Sequence, residues 1–387
     1  MKRKQFVLLI AALVVLGGAA LLLDRRNESS WSKSAEGSGG KILGDLDVNA
    51  IGQITIQQHT NTLSLVRSND MWTVRERGGY PANFSEIADS LTKLADLKAI
   101  RTIPVGATQR PRLELGEPST GTNSGTLVEL KDASGKTLKS VLLGKKYTRQ
   151  SGQPSPFGDE GFPAGRYVLS LPAGDRVAIV SDALNNLDPK ASAWLDKDFF
   201  KVEKVKSISI VSAVSSNSWS VSRTSETNDW ILADATPTEK IDASKVSGSA
   251  NALSMPGFTD VVSGGVSSEL GLDKPTKASL TTFDGFTYDL QIGKAVDENY
   301  PVIATVGGSF NQTRTPGKDE KPEDKEKLDK EFKDSLAKLE DRLKAGKKVN
   351  GWTYLISKWT LDPLLRDRAQ LLVEEKKEEP PVAAEPK

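Results

Sequence analysis

Period-two alternation of apolar and polar residues runs through the chain and recurs. In "VNAIGQITI" the apolar positions are Val48, Ile51, Ile54 and Ile56. In "VEKVKSISI" they are Val202, Val205, Ile208 and Ile210, at the same spacing. Leu63, Leu65 and Arg67 then alternate, as do Trp219, Val221 and Arg223. Successive side chains of a strand point to opposite faces, so these runs predict half-buried strands. "NDMWTV" with Trp72 and "NDWIL" with Trp230 follow, each a turn signal feeding an aromatic strand. The period then changes to three and four. Asn83 with Glu86 three residues on is a helix-start signature, and Phe84, Ile87, Leu91, Leu94 and Leu97 form one apolar stripe. Asp242 caps a weaker counterpart with Val246, Ala250 and Leu253, stopped by Pro256. Alternation returns in Phe286, Tyr288, Leu290 and Ile292, and in "TLVELKDASGKTLKSVLLGK" around a turn at Asp132 to Gly135.

A phrase recurs with this pattern. "RLELGEP" (112–118) follows the first helix and "ELGLDKP" (269–275) the second. The hairpins after them close on "LGK" at Gly144 and "IGK" at Gly293. A last strand in each copy, "RVAIVSDAL" and "WTYLISKWTL", runs into Leu187-Asp188-Pro189 and Leu361-Asp362-Pro363. Charged junctions, "WLDKDFF" and "LLRDRAQLL", come next. The pattern predicts a β-β-β-α-β-β-β unit occurring twice. The fold class is α+β, with two homologous domains, 42–193 and 194–372, each a mainly antiparallel sheet with one packed helix. The copies differ at loops 119–125 and 150–166 and at a charged insert of about 311–350. In the insert, Pro322 and Gly346 bracket a helix with Leu328, Phe332, Leu336, Leu339 and Leu343 on one face. Glu323/Lys327, Glu326/Lys330 and Glu340/Lys344 are its expected i,i+4 pairs. The stripe lies either on its own domain or on a partner subunit.

The ends place the chain. Residues 1–5 carry Lys2, Arg3 and Lys4, and Phe6 to Leu23 is an uncharged apolar run. That run just spans a bilayer core as a single-pass transmembrane anchor. The basic tip puts the N-terminus in the cytoplasm and the bulk of the chain outside it. A cleaved signal peptide is the competing reading, disfavoured by the length of the apolar run. Residues 24–41 are a Ser/Gly-rich flexible linker and 373–387 a disordered tail.

Composition removes several chemistries. Lys+Arg is 52 and Asp+Glu 51 in 387 residues, a balance that argues against a nucleic-acid binder. There is no Cys and one His, His59. Disulfides, thiolate sites, cysteine nucleophiles and multi-His metal sites are thereby excluded. "SGKT" (134–137) lacks the Gly that a phosphate loop needs five residues earlier, where Leu130 stands, so no nucleotide is expected. "DLDVN" (45–49) fails as a calcium loop at Ala50 and Ile56. His59 reads as an exposed hairpin residue. Asp132 and Asp284 fall at equivalent turns, where Asp is favoured for itself. Trp72 and Trp230 could stack on sugars, but their matched strand positions favour packing. No catalytic, cofactor-binding or metal residue is selected, and no cofactor is implied.

The anchor, the tandem units, the Trp after a short turn, "ELGLDKP" and the "LGK/IGK" hairpin together resemble a bacterial family catalogued as domain of unknown function 4340. The resemblance covers about residues 42–372; "RLELGEP" and the charged insert depart from it. Members are found beside genes of gliding-motility-type ABC transporters, which implies an accessory role and no catalytic residues. The expectation is a non-enzymatic extracytoplasmic scaffold or accessory subunit, with the membrane and a protein as partners. The alternative is an envelope glycan-binding protein or carboxylate-dependent hydrolase, with Trp and carboxylates lining a groove between the domains.

Overall fold

A computed structural model describes residues 39–118, 123–149, 162–172, 176–264, 268–317 and 320–373. The expected anchor at 6–23, nearly all of the linker, part of the loops 119–125 and 150–166, and the tail from residue 374 lie outside the described residues. Among the described residues no helix is long and apolar enough to cross a membrane. The chain divides into two compact units, Met1–Asp196 and Lys197–Lys387, three residues beyond the 193/194 boundary expected from sequence.

The first unit carries β1 (Gln53–Gln58), β2 (Asn61–Ser68), β3 (Met71–Val74), β4 (Tyr80–Pro81) and α1 (Phe84–Ala95). Then come β5 (Arg101–Pro104), β6 (Thr126–Lys131), β7 (Thr137–Arg149), β8 (Phe162–Leu171) and β9 (Arg176–Val180). Its nine strands form one sheet in the order β4-β3-β2-β1-β6-β7-β8-β9-β5. The second unit carries β10 (Val205–Val211), β11 (Trp219–Ser222), β12 (Ile231–Leu232), α2 (Ala243–Asn251) and β13 (Asp260–Val262). It continues with β14 (Thr276–Thr282), β15 (Phe286–Ile292), β16 (Asn299–Gly308), α3 (Lys325–Gly346), β17 (Thr353–Ser357) and α4 (Lys358–Leu361). Its eight strands run β12-β11-β10-β14-β15-β16-β17-β13. With β4 set aside, the two orders coincide strand for strand, and every pair is antiparallel. The protein is α+β, built on two antiparallel sheets.

The alternating residues form cross-strand rows. Ile56 stands opposite Leu63 on one side and Val128 on the other. Ile210 stands opposite Trp219 and Ala278 in the second unit. All six are buried, so one face of each sheet is a continuous apolar surface. A helix belongs to each unit and is capped as expected. Asn83 Oδ1 accepts from Glu86 N at 3.2 Å, and Asp242 Oδ1 from Ser244 N at 2.9 Å. Ile87, Ser90, Leu91 and Leu94 are buried on α1; Val246, Ser249, Ala250 and Leu253 are buried in or just beyond α2 at the same spacing. Phe84 is the exception, 66% exposed. As the first helical residue its side chain leans toward the N-terminus and has no earlier turn to cover.

The structure corrects the strand count. β4, β5 and β8 in the first unit and β13 and β16 in the second are absent from the predicted unit; of these, β5 and β13 follow the helices and close the far edge beside β9 and β17. Their four and three residues are too short for a legible period. The outer strands β4 and β5 carry Pro81 and Pro104, and β12 and β13 are very short, so no edge offers a long free ladder. β7 continues through Gly144 instead of ending there, and β8 begins at Phe162 inside the stretch expected to be loop.

The charged junctions have a structural task. Leu195 bridges to Ala82, and Leu372 bridges to Ile241. Asn83 N donates to Trp194 O and Asp242 N to Leu371 O, each at 2.8 Å. Each unit's last segment is thus hydrogen-bonded to the start of its own helix, with Trp194 and Leu371 buried.

The insert helix forms, at Lys325–Gly346, with no fully buried residue. The stripe of Leu328, Phe332, Leu336, Leu339 and Leu343 is half-buried along its length. Contacts with the sheet gather at its C-terminal end. There a Cβ on Gly346 would sit 3.0 Å from Val306, and the Arg342 guanidinium lies 4.7 Å from the Phe286 ring centre. Arg314 pairs with Glu320 and Asp329 near its start. Lys327 pairs with Glu331, at 3.9 Å, not with Glu323.

Candidate functional site

The residues that sequence singled out are mostly structural. Trp72 and Trp230 are 6% and 8% exposed. The Arg223 guanidinium lies 4.6 Å from the Trp230 ring centre, a packed cation–π contact with no open ring face for a sugar. "SGKT" is a hairpin turn around Asp132. Its Oδ1 accepts from Ser134 N at 2.9 Å, Ser134 Oγ at 2.6 Å and Lys136 N at 3.0 Å. Those bonds, led by the Ser134 hydroxyl, hold the Asp132 carboxyl below its usual range. Asp284, at the equivalent turn, pairs with Lys204 at 3.1 Å. His59 is exposed in the β1–β2 turn, as expected, with φ at 51°. It does have a partner: its Nδ1 lies 3.0 Å from Ser124 Oγ. Among the described residues no group of three His, Asp or Glu could hold a metal ion.

Other perturbed groups also serve the fold. Glu239 is held down to about 2 by the Arg368 guanidinium, with Nε at 2.9 Å and Nη2 at 3.0 Å, helped by Thr236 N. Burial lowers Arg166, which donates to Gly144 O at 2.7 Å and to the carbonyls of Ala183 and Leu184. Each carboxylate that the fold displaces (Asp132, Glu239, Asp242 and Glu320) is displaced downward by hydrogen-bond donors. These groups stay ionised at neutral pH and cannot act there as general acids.

One opening is not explained by the fold. In the second unit a groove of about 550 Å3 lies between α2 and the segment from α4 to Arg366. Asn251 and Met255 line one side, Trp359 and Asp362 the other. Its walls are fixed. Buried Ser249 donates to Pro363 O. Tyr300 donates its hydroxyl to Asp362 Oδ1 at 3.1 Å, and Arg366 Nη1 donates to Lys245 O at 2.9 Å. Two large apolar side chains stand at its mouth, Trp359 at 89% and Met255 at 83% exposed. Trp194 and Trp219 each donate the indole N–H to a carbonyl, at 2.9 and 2.7 Å. Trp359 does not.

The first unit lacks this feature. With the caps Asn83 and Asp242 superposed, Met255 corresponds to Asp96. Counting back from the two Leu-Asp-Pro segments, Trp359 corresponds to Asn185. The shared fold therefore requires neither apolar residue. Sequence reading passed over Trp359 because one Trp has no period. The signal was the comparison of the copies at "NNLDP" and "KWTLDP". Chemically the groove offers an aromatic plane, a thioether and a free indole N–H. The polar side chains of its walls are engaged within the unit, Asp362 by the Tyr300 hydroxyl and Arg366 by Lys245 O.

A family model described as domain of unknown function (DUF4340) matches residues 72–275, from Trp72 to Pro275 and just over half of the chain. No curated protein and no solved structure matches the chain.

Proposed function

The chain belongs to the family described as domain of unknown function (DUF4340), and from that premise we propose a non-enzymatic scaffold or accessory subunit of a membrane complex. In this reading residues 6–23 anchor it in a bacterial inner membrane with the N-terminus in the cytoplasm, and both units stand outside the cytoplasm. The resemblance points to a transporter of the gliding-motility ABC type as the complex served. The observation that carries the reading is where the polar chemistry goes. The perturbed carboxylates and their partner cations are spent on caps, turns and ion pairs inside each unit. Trp72 and Trp230, the side chains that a glycan-binding reading would stack on sugars, are both buried.

Detergent extraction of cross-linked membranes, followed by capture of the full chain and mass spectrometry, tests this. Recovery of a transporter or envelope protein in stoichiometric amount is expected. A chain that fractionates with soluble proteins, or comes out of the membrane alone, sinks the reading.

A further inference from the structure

The groove beside α2 pairs two highly exposed apolar side chains across one cavity, a combination that marks a docking site better than scattered apolar residues do. We propose that its occupant is this chain's own segment 380–386, "PPVAAEP", bound as an extended proline-rich strand.

Three observations point to that occupant. The first is chemical. Proline-rich strands are recognised by aromatic-lined grooves, where proline rings pack on an aromatic plane and the strand's free carbonyls accept from nearby donors. Trp359 supplies the plane and an indole N–H that nothing else in the described residues uses. Asp362 and Arg366 among the lining residues are the complements of Lys387, which follows the segment, and Glu385, which lies within it.

The second is reach. Val373 N donates to Lys240 O at 2.8 Å, so the described chain ends beside the start of α2, two residues before its cap. The groove lies at the other end of that helix. A helix of nine residues rises about 14 Å, and residues 374–379 span up to about 20 Å when extended. The segment 380–386 therefore begins where the groove is, with little slack.

The third is the comparison of the two units. The first unit has Asp96 and Asn185 at these places, and after Leu195 its chain passes straight into the second unit. The copy followed by a proline-rich segment is the copy with the apolar groove. The proposal does not rest on the scaffold reading.

The chain has no Cys, so a double substitution reports proximity without background. Asn251→Cys and Ala383→Cys in the full-length protein should form a disulfide within one chain under mild oxidation. A tethered end also collides at random, so the decisive comparison adds Trp359→Ala, a change at an exposed position that leaves the fold intact. Docking predicts that bond formation then slows by about tenfold. Pro380→Ala with Pro381→Ala should slow it as well. A rate that ignores Trp359→Ala, a bond found only between two chains, or no bond at all would overturn the proposal.

Discussion

Tryptophans of this chain divide by what their rings touch. Trp72 and Trp230 are buried in the two units, and replacing either by Ala should cost about 3–5 kcal/mol, the transfer and cavity penalty of a large aromatic. Trp359→Ala removes almost no buried area and should change stability by less than about 0.5 kcal/mol. Denaturant melts of the three variants check both halves of that statement. Glu239 supplies a second test. Its carboxyl sits at about 2 in the folded chain against an ordinary value of 4.5, because Arg368 and Thr236 bond the charged form. Its folded value is depressed, so its stabilisation is complete above pH 4.5 and is lost as pH falls toward 2. The second unit's melting temperature should fall across that window, and Glu239→Gln should flatten the fall. At this scale the caps were legible, since Asn83 and Asp242 announce themselves by type and spacing. Phe84 was not, because an apolar stripe does not say where its first member overhangs.

Between elements, the repeated phrase and the "LGK/IGK" glycines turn out to be one device. A Cβ on Gly293 would lie 2.1 Å from Leu270 O, and one on Gly144 2.4 Å from Leu113 O. The turn that leads the chain from helix to sheet presses its carbonyl onto the strand where only Gly leaves room. The left-handed position of that turn is Gly271 at φ 66° in the second copy and Glu114 at φ 55° in the first. Gly116 is not the left-handed residue and stands where the second copy has Asp273, so "RLELGEP" differs from "ELGLDKP" at the position of the turn itself. Gly293→Ala should destabilise the second unit by about 1–3 kcal/mol as the turn is pushed off the strand, read by urea midpoints. The insert is a different kind of element. α3 has no fully buried residue, while Val349 is buried and Asn350 Oδ1 accepts from Val306 N at 2.9 Å. Replacing 313–345 by a short Gly/Ser linker should leave a cooperatively folded second unit, shown by an unchanged near-ultraviolet spectrum. Loss of that spectrum would make α3 part of the core. Strands such as β1, β2, β6 and β15 were readable in advance from their own alternation; β8 and β16 were not, because Pro163 and Gly165 in one, and Pro301, Gly307 and Gly308 in the other, read as loop. β5 and β13 were not, because an edge strand of three or four residues is defined by its neighbour more than by its own pattern.

The whole molecule is a fold used twice, with one copy carrying the groove. Each unit has its own apolar face, its own capped helix and its own closing segment. Residues 197–373 expressed alone should therefore give a single cooperative melt; a chain that stays unfolded would show that the first unit is needed. The closing segments also set an order in time. Because Trp194 and Leu195 bond the start of α1, and Leu371 and Leu372 the start of α2, a unit's final residues complete what its middle began. A growing or translocating chain emerges N-terminus first. The first unit then waits for residue 195 before its helix start is tied, and it is finished just as the second begins. Two copies with similar strands are thereby kept from trading partners: the earlier one is sealed before its look-alike exists.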